Sequence, residues 1–393
     1  MKIIKNSRGI ETLIFAKTLE KEALEQIKKL INFEPYLDAK FRIMPDAHLG
    51  KGCTIGTTMT ITDKITPNMV GVDIGCGMLT VKLKAKEIDF KELDKVIKTE
   101  IPSGFKVHKK AKKDFDFSNL RCQNHADLER ALLSIGTLGG GNHFIEVGKS
   151  KAGVIYLVIH SGSRKLGSDI CNYYQRKAIR HASNTTRIAQ SIIDKLRFEG
   201  REDEIAAQIK KIKKPVVDKE LAFLAGDDFD DYMNDMAIAQ RYASHNRSAI
   251  AEIILKETGL QESKRFETIH NYIDFKRMIL RKGAVSAEKG EVLLIPINMS
   301  EGSLLCVGKG NENWNYSAPH GAGRLMSRTQ AKKAIGMDDY IHSMRNVYTT
   351  SVGKKTLDEA PQAYKSIEEI KSAIVDTVEV IDVITPLYNF KDH

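Results

Sequence analysis

A chain of 393 residues, 42% apolar and 28% charged with 28 glycines, can bury a sizeable core, and its composition is neither that of a disordered nor that of a fibrous protein. The surplus of 61 Lys and Arg over 51 Asp and Glu, a formal net charge of +10, favours polyanionic partners through counterion release. No apolar run reaches the roughly 18 to 20 residues needed to span a bilayer and no secretion signal opens the chain, so a cytoplasmic protein without a membrane partner is expected.

The first predicted element is an amphipathic helix over "LEKEALEQIKKLINF", Leu19 to Phe33, where apolar residues recur at three- and four-residue steps. A Gly- and Thr-rich segment from Met44 to Lys84 follows, with "CTIGTTMTIT" and "MLTVKL" alternating like strands. Between them lies "GVDIGCGM", which sets Asp73 and Cys76 three residues apart among glycines. The run Val154 to Ile159 predicts a strand that breaks at His160 into a Gly/Ser turn. Ser168 and Asp169 are then expected to cap a helical stretch reaching about Phe198. Residues from about 202 to 259 read as a helical insertion. Strands return in "GEVLLIPI" and "SLLCVGKG", a helix is expected directly after "SAPHGAG", and "VEVIDVITPLYNFKDH" reads as a last strand with an ordered tail. No internal repeat or long hinge divides the chain. One α+β domain over residues 1–393 is expected, with a mixed sheet core, flanking helices and a site in Gly-rich loops.

Five widely spaced cysteines, Cys53, Cys76, Cys122, Cys171 and Cys306, argue against a disulfide framework; a special cysteine here is a free thiol or a metal ligand. Of the eleven histidines, His108, His181 and His393 have ordinary surroundings. By contrast, His143, His160, His270 and His320 stand in loops rich in Gly, Asn or Ser at or near the ends of apolar strands. A lone histidine is more often a hydrogen-bonded core or surface residue than a ligand. Several of them beside Asp73 and Cys76 make a metal site the competing reading. That mixed donor set suits Zn²⁺, Mn²⁺, Fe²⁺ or Co²⁺, and a thiolate can bridge two ions, an arrangement fit for phosphoryl or nucleotidyl transfer.

The frame Gly162 to Gly167 is followed by Ser168 rather than Lys, so it is not a Walker A loop, and "GTLGGGNH" lacks the Rossmann spacing. In "SAPHGAGR", His320 could attack a phosphate held by backbone N–H groups at a helix start and by Arg324; an ordinary turn and N-cap is the alternative. The basic runs Lys106 to Lys113 and Lys210 to Lys214 read either as solvated faces or as nucleic-acid contacts.

Taken together, "MPDAHLGKG", "GVDIGCGM", "GTLGGGNHFIEV", "VIHSGSR", "IHNY", "SAPHGAGR" and "DEAPQAYKS" resemble the RtcB family of RNA-splicing ligases, in the family's order and over nearly the whole chain. The resemblance implies an enzyme that joins RNA 3′-phosphate or 2′,3′-cyclic phosphate ends to 5′-hydroxyl ends with GTP and two Mn²⁺ ions. His320 matches the nucleophile that becomes guanylylated, and Asp73, Cys76, His143, His160 and His270 match the manganese ligands, Cys76 touching both ions. Guanine-nucleotide contacts carry over to Asn142, Phe144, Glu146, Asn271, Ser303, Gly321, Ala322, Gly323 and Lys391, and phosphate or RNA contacts to Arg164 and Arg324. Asp46 and His48 match the family's PD-x-H loop, which implies support for the metal shell.

The chain departs from the pattern in two places: "IPINMSEGS" stands where most members read close to "IPGSMG", and Ala318 and Pro319 replace a Ser- or Cys-containing pair. In these segments it looks like a divergent bacterial subgroup encoded beside a peptide chain release factor homologue. That likeness implies a damaged ribosome and its RNA 3′ end, rather than a tRNA exon, as the substrate. Two alternatives remain open: a 3′-end guanylyl-capping or cyclic-phosphate processing enzyme that does not seal, and a ribosome-associated RNA-binding accessory protein with a vestigial site.

Overall fold

The computed structural model describes residues 1–211 and 216–392, so His393 and most of the Lys210 to Lys214 run lie outside the described residues. Two large sheets carry the architecture, which is mixed α+β. A six-stranded sheet runs in the order Lys2–Lys5, Glu11–Ile14, Phe41–His48, Ile55–Thr60, Ile279–Lys282, Asn271–Asp274, with a parallel pair between Glu11–Ile14 and Phe41–His48. A seven-stranded antiparallel sheet runs Glu262–Ile269, Gly77–Leu83, Ile155–Ser161, Phe144–Lys149, Val378–Phe390, Gly302–Gly308, Val292–Asn298.

Every residue of Ile155–Ser161 is buried, which accounts for its continuous apolar run: a strand covered on both faces has no reason to alternate. On one face Leu79, Val81, Leu157 and Ile159 pack with Ile97 of helix Phe90–Glu100 and with Ile250 and Ile254 of helix Asp227–Thr258. On the other, Met78, Phe144 and Val158 meet Leu294, Leu305 and Ile384 from the far end of the same sheet. The Leu294 amide donates to Thr268 Oγ1 at 3.1 Å, so the two edge strands approach and the sheet curls toward closure.

The helix expected over Leu19 to Phe33 runs Lys21–Ile31 and buries Ala23, Ile27, Leu30 and Ile31. The helix after the Gly/Ser turn starts earlier than expected, covering Arg164–Ser183 with Ser163 at its N-cap position. Ser168 and Asp169 therefore lie within it rather than capping it, and Asp169 pairs with Lys165 one turn back. Asn184, with ψ 102°, interrupts the stretch before a separate helix, Thr185–Phe198. Asparagine favours such breaks because its amide competes for backbone groups.

Within residues 202–259 the helices are Ile205–Lys210 and the 32-residue Asp227–Thr258. This long helix is central: Tyr232, Met236, Ala239 and Tyr242 pack in one core with Ile170 and Tyr174, while its last turns lie under the seven-stranded sheet. The helix expected directly after "SAPHGAG" begins later, at Arg328, behind a capping box of Ser327 and Gln330. The amides of Gly321 to Gly323 are thus loop groups, not a helix N-terminus.

Candidate active site

Four segments bring the predicted metal ligands together. Asp73 and Cys76 lie on the turn before strand Gly77–Leu83, His143 just before Phe144–Lys149, His160 near the end of Ile155–Ser161, and His270 between Glu262–Ile269 and Asn271–Asp274. Neighbouring antiparallel strands deliver these ends to one spot. Cys76 Sγ is 3.4 Å from His143 Nε2 and 3.3 Å from His160 Nε2; His143 Nε2 is 2.9 Å from Asp73 Oδ2, and His160 Nε2 is 3.3 Å from His270 Nε2. The donors form two triads, Asp73–Cys76–His143 and Cys76–His160–His270, that share the sulfur.

The long helix and local hydrogen bonds hold this cluster in place. Arg247, wholly buried, donates from Nη1 to the carbonyls of Gly75 and Ser161 at 2.7 and 2.9 Å, and Asn246 accepts from the amides of Gly136 and Thr137 while donating to the Gly162 carbonyl. His143 Nδ1 lies 2.9 Å from the Leu138 carbonyl and His160 Nδ1 3.1 Å from that of Asn142, which orients both Nε2 atoms inward. Gly162 has to be glycine, since a Cβ there would sit 2.1 Å from Asp73 Oδ1.

Burial pushes the Cys76 thiol well up, with Asp73 adding to the effect, and burial holds the His160 and His270 rings well below the ordinary histidine value. For Asp73, desolvation opposes ionisation but the His143 ring outweighs it, and the carboxyl lies well below the usual carboxylate range. The His160 and His270 rings are therefore neutral, as ligation requires, and a cation among these atoms would turn the thiol to thiolate. One carboxylate, one sulfur and three imidazoles, in two triads that have Cys76 in common, are a donor set that would hold divalent cations.

His320 follows the short strand Ser317–Pro319, and its ring centroid is 5.0 Å from that of His270. Its Nδ1 is 2.7 Å from Asp46 Oδ2, so Nε2 is the nitrogen left for chemistry. Asp46 is fully buried. The sequence reading associated Asp46 with the metal shell; the structure pairs it with His320 instead.

A cavity of about 280 Å³ opens beside His320 and the cluster. Asn142, Phe144, Glu146, Asn271, Ser303 and Lys391 line it, as do Gly321, Ala322 and Gly323. Four buried polar atoms of its wall residues have no hydrogen-bond partner among the described residues: Glu146 Oε1, His270 Nδ1, Ser303 Oγ and Asn389 Oδ1. Unsatisfied groups converging on a cavity mark a place where a polar ligand completes the bonding. Burial raises the Glu146 carboxyl to about 7 against the opposing pull of Asn389 and Lys391.

Arg324 also lines the cavity, but its guanidinium is engaged by the Asp358 and Met326 carbonyls, the Tyr364 hydroxyl and Glu359. Arg164 lies elsewhere, behind the His143 loop, bonded to Thr137 Oγ1 and the Gly104 carbonyl. Its φ of 54° is unusual for a residue with a side chain. Sequence reasoning assigned no role to Glu359, which is buried, accepts from Lys391 Nζ at 2.8 Å and is held down to about 2; burial would raise it, and Lys391 and Arg328 overcome that. The motif "DEAPQAYKS" was the available signal, since it contains both Glu359 and Tyr364. Asn389 offered none.

The family model described as tRNA-splicing ligase RtcB matches residues 26–124 and 113–392. The chain is 32% identical over 391 residues to the RNA-splicing ligase RtcB of Escherichia coli K12, with 88% of each chain covered. It is 26% identical over 454 residues to the tRNA-splicing ligase RtcB of Nanoarchaeum equitans, covering 91% of this chain and 88% of that one. The corresponding protein of Aeropyrum pernix is 26% identical over 424 residues, with 84% and 82% covered. With the matched residues spanning most of its length and both sheets, the chain belongs to the RtcB family of RNA-splicing ligases.

Proposed function

We propose that this protein joins RNA 3′-phosphate or 2′,3′-cyclic phosphate ends to 5′-hydroxyl ends, using GTP and two manganese ions, through GMP carried on His320. The observation that carries this reading is the position of His320, with Nδ1 held by Asp46, between the paired donor triads and a cavity walled by unsatisfied polar atoms. Bound divalent ions would offset the charge of the triphosphate and, as Lewis acids, polarise its phosphoryl oxygens.

In the first step the His320 Nε2 lone pair attacks the α-phosphorus of GTP, the N–P bond forms, and the α–β bridging P–O bond breaks to release pyrophosphate. Asp46 accepts the Nδ1–H bond throughout and stabilises the positive charge that develops on the ring. An oxygen of the RNA 3′-phosphate then takes the GMP, which breaks the N–P bond and restores His320. Finally the 5′-hydroxyl attacks the 3′-phosphorus and GMP leaves; a cyclic phosphate is first opened by water. Glu146, once ionised, is an acceptor suited to the guanine N1 and N2 donors or to ribose hydroxyls, and Lys391 adds positive charge over the Phe144 ring, 5.5 Å from its centroid.

The altered segment after strand Val292–Asn298 supports a specialised member of the family. Asn298 Oδ1 accepts from the Ser300 amide and hydroxyl and from the Glu301 amide, closing a compact turn on the cavity rim. With the subgroup likeness of this stretch, it supports a ribosomal RNA 3′ end as substrate, a release factor homologue as partner and a cytoplasmic location. No helix of the described residues is long and apolar enough to cross a membrane.

The test is incubation with Mn²⁺ and GTP labelled at the α-phosphate under reducing conditions. An acid-labile protein–GMP adduct is expected, and His320→Ala should abolish it. Absence of the adduct from the unsubstituted protein refutes the reading at its first step. An adduct without joining of 3′-phosphate and 5′-hydroxyl ends replaces it by 3′-end capping.

A further inference from the structure

Phe105 is 94% exposed, yet the loop that carries it is tied down on every side. The Leu138 amide donates to the Pro102 carbonyl at 2.9 Å, the Gly104 amide to the Gly139 carbonyl at 3.0 Å, and Arg164 Nη2 to the Gly104 carbonyl at 2.9 Å. Arg130 Nη2 holds the Phe105 carbonyl itself at 2.6 Å, and Ser103 Oγ donates to Asp392 Oδ1 at 2.8 Å. The approach is close enough that a Cβ on Gly104 would lie 2.8 Å, and one on Gly140 3.1 Å, from Asp392 Oδ2. A large aromatic side chain is therefore held out into water by a fixed backbone.

What surrounds it is informative. The loop it is fastened to, residues 138–143, ends in Asn142 on the cavity wall and in His143 of the metal-ligand cluster. In the other direction the chain continues into "KVHKKAKK". There Lys112 and Lys113 pair with Glu100 and Glu252, whereas Lys106, Lys109 and Lys110 are exposed and in no ion pair among the described residues. Phe105 has no ring or cation contact among them either. An unpartnered aromatic face on a loop that runs on into exposed, uncompensated cations complements a base and its adjoining phosphates.

We propose that Phe105, with Lys106, Lys109 and Lys110, is a stacking platform for a base of the single-stranded RNA next to the end being joined. The platform rests on the reading of RNA as substrate. It adds where the strand outside the cavity is gripped: on the side of the His143 loop. Stacking is indifferent to sequence because every base has a flat face, so the grip is general rather than selective.

Two variants test it. Phe105→Ala should raise the KM for a single-stranded 3′-phosphate RNA oligonucleotide by about tenfold, within the range set by loss of one base stack, with kcat at saturating RNA unchanged. Guanylylation of His320, which needs no RNA, is the control for intact folding. Phe105→Trp adds a reporter to a chain with one other tryptophan, Trp314, which is buried against Phe15, and its fluorescence should be quenched by the same oligonucleotide. An unchanged KM in the alanine variant, or tryptophan emission indifferent to saturating RNA, overturns the proposal. So does a Phe105→Ala protein whose only defect is weakened self-association, which would assign the ring to a protein contact. Quenching is read without turnover, so a failure of the unsubstituted protein to ligate would refute the functional reading while leaving this test standing.

Discussion

Asp46 occupies Nδ1 of His320, which leaves Nε2 as the nitrogen for the attack proposed above. Exchanging Asp46 for Asn keeps the size of the side chain but lets its amide donate to Nδ1, which moves the ring proton to Nε2 and removes the attacking lone pair. Asp46→Asn is therefore expected to slow guanylylation by about a hundredfold or more with the thermal midpoint nearly unchanged. A guanylylation rate within a factor of two of the unsubstituted protein's would dismiss Asp46 as a positioning residue. Glu146 gives a second prediction, through pH. Its folded value of about 7 lies above the ordinary 4.5, so both folded and unfolded carboxyls are protonated below pH 4.5 and its burial then carries no ionic penalty. Between 4.5 and 7 only the unfolded chain ionises, and stability falls as pH rises; above 7 the loss levels off at on the order of 3 kcal/mol. Glu146→Gln should accordingly outlast the unsubstituted protein in urea at pH 8 and match it at pH 4, while its GTP affinity drops. An equal difference at both pH values would show that ionisation of Glu146 is not the cause.

At the level of elements, the strand ends are legible and so is helix in residues 202–259, but not what the long helix holds in place. Short apolar runs that stop at a histidine in a glycine loop identify residues delivered to the rim of a sheet, and His143, His160 and His270 are found there. Residues from about 202 to 259 read as a helical insertion, and their periodicity does not reveal that Asp235, Asn246 and Arg247 of Asp227–Thr258 are buried polar residues. In the fold those polar side chains turn inward and satisfy backbone groups of loops from distant parts of the chain. Asp235 accepts from the amides of Arg121 and Cys122 and from the Tyr174 hydroxyl, and Asn246 and Arg247 hold the loops behind the ligands. Helical periodicity alone cannot tell a polar residue facing water from one facing a buried carbonyl. Arg247→Ala removes the guanidinium that donates to the Gly75 and Ser161 carbonyls and pairs with Glu267, whose other oxygen keeps only Ser244, and should cost about 3–5 kcal/mol in urea unfolding. Because Gly75 lies between Asp73 and Cys76, manganese affinity should fall with it. A variant that unfolds at the same urea concentration as its parent would mean that the helix does not anchor the turn.

Across the whole molecule, the site draws on residues from Asp46 to Lys391, and its pairings join parts of the chain that only the fold brings together. Asp46 and His320 are 274 residues apart, and Asp73 and His143 are 70 apart. Motif resemblance names the members of this constellation but not the pairing of the first motif's Asp46 with His320, because that depends on how the six-stranded sheet sits against the loop after Ser317–Pro319. The same dispersal bears on the metal binding proposed above. An unfolded chain has no cluster of these five donors, so a divalent ion held by them would bind the folded state preferentially and stabilise it by about 2.7 kcal/mol at a free concentration a hundredfold above Kd. Manganese should therefore raise the thermal midpoint, chelation should reverse the rise, and titration calorimetry should count two ions per chain. Cys76 belongs to both triads, so Cys76→Ala removes one donor from each at once and should lose most of the thermal shift together with guanylylation, whereas His270→Ala, which removes a donor from a single triad, should leave one ion bound. If Cys76→Ala still takes up two ions with an undiminished shift, the sulfur does not lie between them, and the acid and thiol of "GVDIGCGM" serve separate purposes.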